Sequence, residues 1–195
     1  MDQLDYERSV VEESFRQEFL NGIDLEEARP YIKRVSYKPK QAYSDNIIYT
    51  DNTIMMRTSN LPAKLLGIKN VRSTISVYPC SFTLQNIGEF KSMLIDHEGY
   101  HAKDIFEEPE ILLLPLIKLK KVLNIPLIKL NIDKLDELYL QALYRNIIGE
   151  LRANRNQLKN IDKRETSSSF KKSLASKIEG YEKLGLKFAT DFQPS

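Results

Sequence analysis

Cysteine occurs once, at Cys80, in the 195 residues of this chain. No internal disulfide can form, and no zinc site can be assembled from cysteines alone. Neither sign of charge dominates: 29 Lys and Arg stand against 27 Asp and Glu, a net +2. So weak a field does not by itself point to nucleic acid as a partner. The first residues, Met1-Asp2-Gln3-Leu4-Asp5-Tyr6-Glu7, lack the basic start and apolar run of a secretion signal, so the expected compartment is the cytoplasm. Apolar residues make up 42% of the chain and charged residues 29%, proportions of neither a disordered nor a membrane-embedded protein. The length suits one domain over residues 1–195, with residues 1–30 and 166–195 as helical appendages. Histidine is scarce too, with two in the whole chain, and their placement carries most of the functional reading.

Residues 2–20 carry Leu4, Val11, Phe15 and Phe19 at helical spacing between charges, and Asn21-Gly22 ends the pattern. Residues 31–37 are β-rich. Residues 47–50 and 53–57, on either side of Asp51-Asn52, predict a hairpin. Residues 71–78 alternate Val71, Ser73, Ile75 and Val77 with polar neighbours until Pro79, the pattern of a strand with one buried face at a sheet edge. Thr83 is a candidate cap for a helix to about residue 106, whose stripe Ile87, Phe90, Leu94, His97, His101 and Ile105 turns both histidines inward. Residues 133–162 predict a long helix with the stripe Leu135, Tyr139, Ala142, Asn146, Glu150, Ala153, Gln157 and Ile161, polar in its middle. A last helix comes after Ser167-Ser168-Ser169 and runs to about residue 184. The expected class is α+β, a small antiparallel or mixed sheet packed on helices.

Both histidines belong to His97-Glu98-Gly99-Tyr100-His101, an H-E-x-x-H sequence. One helical turn apart, two imidazoles can share one zinc ion while Glu98 leans over the position where a water would sit. Zinc brings that water's pKa towards neutrality, and Glu98 can take its proton and pass it to a leaving amine. Two histidines and a Glu fall into this arrangement by chance about once in a thousand such sequences. Gly99 is a poor helix residue, open to two readings: close approach of substrate or a neighbouring strand, or simple tolerance. A zinc hydrolase needs a third protein ligand, which here must be an acid or Cys80. Glu150 ranks first, because it falls on the inward stripe of the long helix beside the small Gly149 and Ala153, where a carboxylate needs a partner. The alternative partner for Glu150 is Arg145, Arg152 or Arg155. For Cys80, the bland reading is a small buried hydrophobe.

Residues 95–101 together with Glu150-Leu151-Arg152-Ala153-Asn154 resemble the gluzincin metallopeptidases, whose signature is H-E-x-x-H followed on a later helix by E-x-x-A-D. The resemblance covers roughly residues 72–158. It implies a zincin-like core, zinc bound by His97, His101 and Glu150, Glu98 as general base, and a peptide or protein substrate laid along an edge strand, a role residues 71–78 would fill. Asn154 stands where the family has Asp; an amide can accept a hydrogen bond from an imidazole but does not raise its basicity as a charge would. Glu107, where another zincin class places its final ligand, ranks second to Glu150, since that class turns the chain with a glycine and this sequence has Asp104 there.

Asp96 and Asp104 flank the motif as candidate orienters of the imidazoles, against the plainer reading of solvated charges. Tyr100, Tyr139 and Tyr144 are the nearest candidate donors to a developing oxyanion, but none is distinguished by spacing and a structural role is the favoured reading for each. The 111–132 stretch repeats Pro115-Leu-Ile-Lys-Leu119 as Pro126-Leu-Ile-Lys-Leu130. It is too broken by Pro and Lys to span a bilayer. Two short helices packed on the core are favoured over a lid, a specificity wall or a membrane-surface contact. Lys118, Lys120 and Lys121, with Lys163, Arg164, Lys171 and Lys172, read as solvated faces, and no nucleic-acid partner is expected. Zinc-dependent peptide hydrolysis is the first expectation. A catalytically weak or inactive binding or regulatory module on the same fold is the second, and a metal-free helical interaction protein the third.

Overall fold

Asp2 and Asp5 exchange side-chain-to-backbone hydrogen bonds in a capping box that starts α1 (Gln3–Val11). The chain breaks at Glu12, where φ −100° and ψ 100° are extended, and resumes through a 3₁₀ turn into α2 (Arg16–Gly22). That break resets the helical phase. Phe15 and Phe19 are buried as expected, but Leu4 and Val11 are exposed, and Tyr6 and Ser9 take the inward places. The computed structural model describes residues 1–43, 53–60, 68–108 and 132–191. The expected strand 47–50 with its Asp51-Asn52 turn, and all but the last residue of the 111–132 stretch, lie outside the described residues, as do the side chains of Leu135, Tyr139 and Ala142.

The class is α+β, mostly helical, around a small mixed sheet. β1 (Ile32–Tyr37) runs parallel to β5 (Ser73–Val77), and β5 runs antiparallel to β4 (Met56–Ser59), in the order β1-β5-β4. A separate two-stranded ribbon joins β2 (Ala42–Tyr43) to β3 (Thr53–Ile54). β5 is therefore the central strand, which corrects its expected place at an edge. Its alternation was sound, with Ser73, Ile75 and Val77 buried, but a period of two reports which face is covered and not how many strands lie beside it.

Beyond β5 a 3₁₀ turn (Pro79–Thr83) closes with Thr83 Oγ1 donating to Cys80 O. Thr83 is thus not the helix cap. Asn86 is, its side chain accepting from Glu89 N at 2.9 Å. One uninterrupted helical rod starts there, the motif helix: α3 (Ile87–Lys91), a π-helical segment (Ser92–Glu98) and α4 (Gly99–Glu107). The long α5 (Ile132–Asn160) and α6 (Ser168–Asp191) pack against each other, so the last helix extends past residue 184. No helix among the described residues is long and apolar enough to cross a membrane.

Two apolar clusters hold these elements. Tyr6, Phe19, Phe82 and Phe90 form an aromatic nest with Phe19 and Phe90 at 0% exposure, joining α1, α2 and the motif helix to the sheet. Burying each such side chain contributes about 1.5–3 kcal/mol. Ile147, Leu151 and Ile161 meet Leu174, Ile178 and Tyr181 between α5 and α6. Asn146, expected on the inward stripe, is exposed, and Ile147 is buried in its place because α6 rather than the motif helix covers that stretch of α5.

Candidate metal centre

Phe90, Leu94 and Ile105 anchor the motif helix in the core, and the stripe they define carries His97 and His101 with them. Between the anchors the helix widens: Gly99 N–H reaches back five residues to Leu94 O, a π turn of the kind frequent at functional sites. Side chains of α5 hold that turn. Asn156 donates to Asp96 O at 2.7 Å, and Gln157, 1% exposed, donates to Ser92 Oγ at 3.1 Å. Gly99 is explained by close packing: a Cβ there would lie 2.7 Å from the Cβ of Ala28, in the 3₁₀ turn Glu26–Ala28. The neighbour is a turn, not substrate or a strand.

His97 and His101 present their Nε2 atoms to one carboxylate. His97 Nε2 lies 3.4 Å from Glu150 Oε2, and His101 Nε2 lies 3.4 Å from Glu150 Oε1. The rings stand nearly perpendicular, at 85°, with centroids 4.9 Å apart. A charge-assisted hydrogen bond would draw nitrogen and oxygen to about 2.7–2.9 Å. Two ligands of a tetrahedral ion at about 2.0–2.1 Å stand about 3.3 Å apart. The separations suit donors around an ion better than donors bonded to each other. Among the described residues these three form the one group able to hold a metal.

The pair is strongly polarised even without an ion. Burial alone would draw the His101 imidazole down, but Glu150, Glu98 and Asp104 outweigh it and raise its pKa above the ordinary value. Burial opposes ionisation of Glu150, yet the two imidazoles hold its carboxyl well below the usual carboxylate range. Tyr181 Oη stands 3.4 Å from Glu150 Oε2, which brings α6 to the site.

Glu98 follows His97 on the same turn and is 6% exposed. Its Oε2 accepts from Thr58 N and from Thr58 Oγ1, each at 2.7 Å. β4, one of the two outer strands, therefore lies directly against the motif, where residues 71–78 had been expected.

The remaining candidates fall elsewhere. Glu107 is exposed and accepts from Tyr31 Oη at 3.3 Å, outside the cluster. Cys80 Sγ donates to Ile54 O at 3.2 Å. Arg152 pairs with Asp104 at 3.2 Å and Arg155 with Glu182 at 2.7 Å, so neither takes Glu150. Asn154, 3% exposed, donates to Glu150 O of its own helix at 2.7 Å. His97 Nδ1 is buried without a hydrogen-bond partner among the described residues. Asp104 is bonded to Arg152 rather than to an imidazole, and burial raises its pKa. Asp96 is neither solvated nor an orienter of histidine. Arg164 grips it through Nε and Nη2, both at 2.9 Å, and grips Glu26 through Nη1 at 2.7 Å and Nη2 at 3.0 Å. Arg164 had been placed on a solvated face and is 8% exposed. Tyr100 lies beside Arg152, whose guanidinium is 5.8 Å from its ring centroid, and Tyr144 is exposed. A cavity of about 150 Å³ lies between the 26–31 turn and the motif helix, lined by Gly99, Tyr100, Lys103 and Arg164 on the side turned away from the imidazoles.

Sequence reasoning missed Thr58, Tyr181 and the Arg164 clasp. The period of β4 places Met56 and Thr58 on one buried face, which was a usable signal for Thr58; for the other two no local pattern existed. No protein-family model, curated protein or solved structure matches this chain.

Proposed function

We propose that this chain is a zinc-dependent peptidase with a gluzincin-like core made of the mixed sheet, the motif helix and α5. The observation that carries the reading is the pair of 3.4 Å separations from His97 and His101 to the two oxygens of Glu150. Two neutral imidazoles and one carboxylate are the donor set of a zinc site that keeps a position open. When bound there, zinc supplies a Lewis acid for a carbonyl and lowers the pKa of a coordinated water. Glu98 sits one residue from a ligand on the same helix. It serves as the general base, taking a proton from the attacking water and delivering it to the departing amine. Glu150 leaves the centre one net positive charge, and the burial of His97 and Glu98 keeps the surroundings at low dielectric. An extended peptide or protein substrate would lie along β4, which packs against the motif helix, and the cytoplasm is the proposed compartment.

A binding or regulatory module on the same fold is the second reading. The Asn154 amide, turned back onto its own helix, favours it, because the imidazoles then lack the charged support that strengthens zinc ligands.

E98Q separates the two. The amide is almost isosteric but is no base, so the variant should keep about one zinc per chain and lose hydrolysis. Turnover equal to the wild type would remove Glu98 from the mechanism, and absence of turnover in the wild type would favour the module.

A further inference from the structure

A carboxylate that moves protons has to present one oxygen to the water and keep the other still, because misplacement by about 1 Å costs on the order of a hundredfold in rate. Glu98 is a long side chain with several rotatable bonds and correspondingly high rotamer entropy, and nothing on its own helix fixes the carboxylate. The restraint comes from the neighbouring strand. Thr58 stands opposite Ile75 in the β4–β5 ladder and sends both its backbone N–H and its hydroxyl to Glu98 Oε2 at 2.7 Å. The hydroxyl oxygen also lies 2.9 Å from Glu98 O, but it carries a single proton, and the charged carboxylate is the stronger acceptor. Thr58 is 7% exposed and Glu98 6%, so water does not compete freely for that oxygen.

We infer that Thr58 is the positioning residue of this site: its N–H and Oγ1–H together immobilise Oε2 of Glu98 and leave Oε1 for the water. The inference rests on the peptidase reading. It divides the carboxylate into a held oxygen and a working one, and the division is made by a strand residue forty positions earlier in the chain. Threonine suits the place because one residue supplies two donors to the same atom. Serine would supply both as well. Valine keeps the shape and the N–H but loses the hydroxyl.

The test uses the full chain loaded with zinc, a fluorogenic peptide that the wild type cleaves, and the variants T58V and T58S. T58V should lower kcat about tenfold or more, the worth of one hydrogen bond to a charged group, with KM and bound zinc unchanged, and T58S should restore it. A second readout needs no turnover. In chelator-treated protein, T58V should lower the urea midpoint clearly in the wild-type background and much less in the E98Q background. Undiminished kcat in T58V, T58S as slow as T58V, or equal midpoint shifts in both backgrounds would overturn the assignment of Thr58 alone. A wild type that binds zinc and cleaves no peptide would overturn the peptidase reading and the positioning role with it; coupling in the urea cycle would then mark a contact that is only structural.

Discussion

Alanine at position 99 should destabilise this protein although alanine is the better helix former. In an open helix the exchange of Gly for Ala contributes about 1 kcal/mol of stability. At this position the added Cβ would stand 2.7 Å from Ala28 Cβ, whereas carbon atoms rest at about 3.5–4.0 Å. Neither atom belongs to a flexible side-chain end, so the motif helix or the Glu26–Ala28 turn must move by about 1 Å. Overpacking of this kind costs about 1–3 kcal/mol. The propensity gain offsets about 1 kcal/mol of it, leaving a net loss of up to about 2 kcal/mol, or up to about 4–8 °C in Tm for a chain of this size. Removing the opposing methyl should rescue it. Urea titration of the wild type, G99A, A28G and G99A/A28G measures the coupling, which should exceed about 1 kcal/mol in favour of the double variant. Zinc affinity should track stability across the four proteins, since pushing the motif helix away from Ala28 disturbs the separations to Glu150. G99A as stable as the wild type, with additive effects in the double variant, would refute the argument and return Gly99 to mere tolerance.

Changing Arg164 to Met should cost about 3–5 kcal/mol by chemical denaturation, because Asp96 is left charged and buried; a loss below about 1 kcal/mol would mean that solvent already reaches that carboxylate. H97A with H101A should abolish zinc binding by elemental analysis. E150A should lower Tm more with zinc present than after chelation, where only its pairing with the two imidazoles is lost, and E107A should change neither; retained metal in the histidine variant would move the site elsewhere. In chelator-treated protein the raised pKa of His101 contributes stability below the unfolded histidine value that is lost as pH rises through the raised one, and the lowered pKa of Glu150 contributes stability above the unfolded carboxylate value that is lost as pH falls. The stability difference between the wild type and E150Q should therefore be greatest at about pH 5–6, and a difference flat from acid to alkaline pH would contradict the ion pair.

The centre was legible because its pieces lie on two long helices. Periodicity alone turns His97, His101 and Glu150 inward, and a scarce residue type confined to one turn of helix leaves few alternatives. Strand order was not legible: residues 71–78 alternate in the same way whether one strand or two lie beside them. The widened turn at Ser92–Glu98 was also hidden, since it depends on Asn156 and Gln157 of a distant helix filling bonds that the turn opens. The first helix misled for a local reason, as Leu4 and Val11 keep helical spacing only if the chain does not break at Glu12. Arg164 looked like part of a basic surface because its two carboxylate partners are 68 and 138 residues away.

Those separations also govern when the site can come into being. The residue just before His97 is neutralised by a side chain that emerges from synthesis 68 positions later, and that same side chain ties in a turn near the start of the chain. Until Arg164 arrives, the motif helix carries an unpaired acid that favours water over the interior. Contacts of such long range form late in folding, because the intervening loop must first be closed. The histidines can therefore be fixed in place only after most of the chain has been made. A growing polypeptide in this way does not bring His97, His101 and Glu150 together while most of its own length is still unfolded.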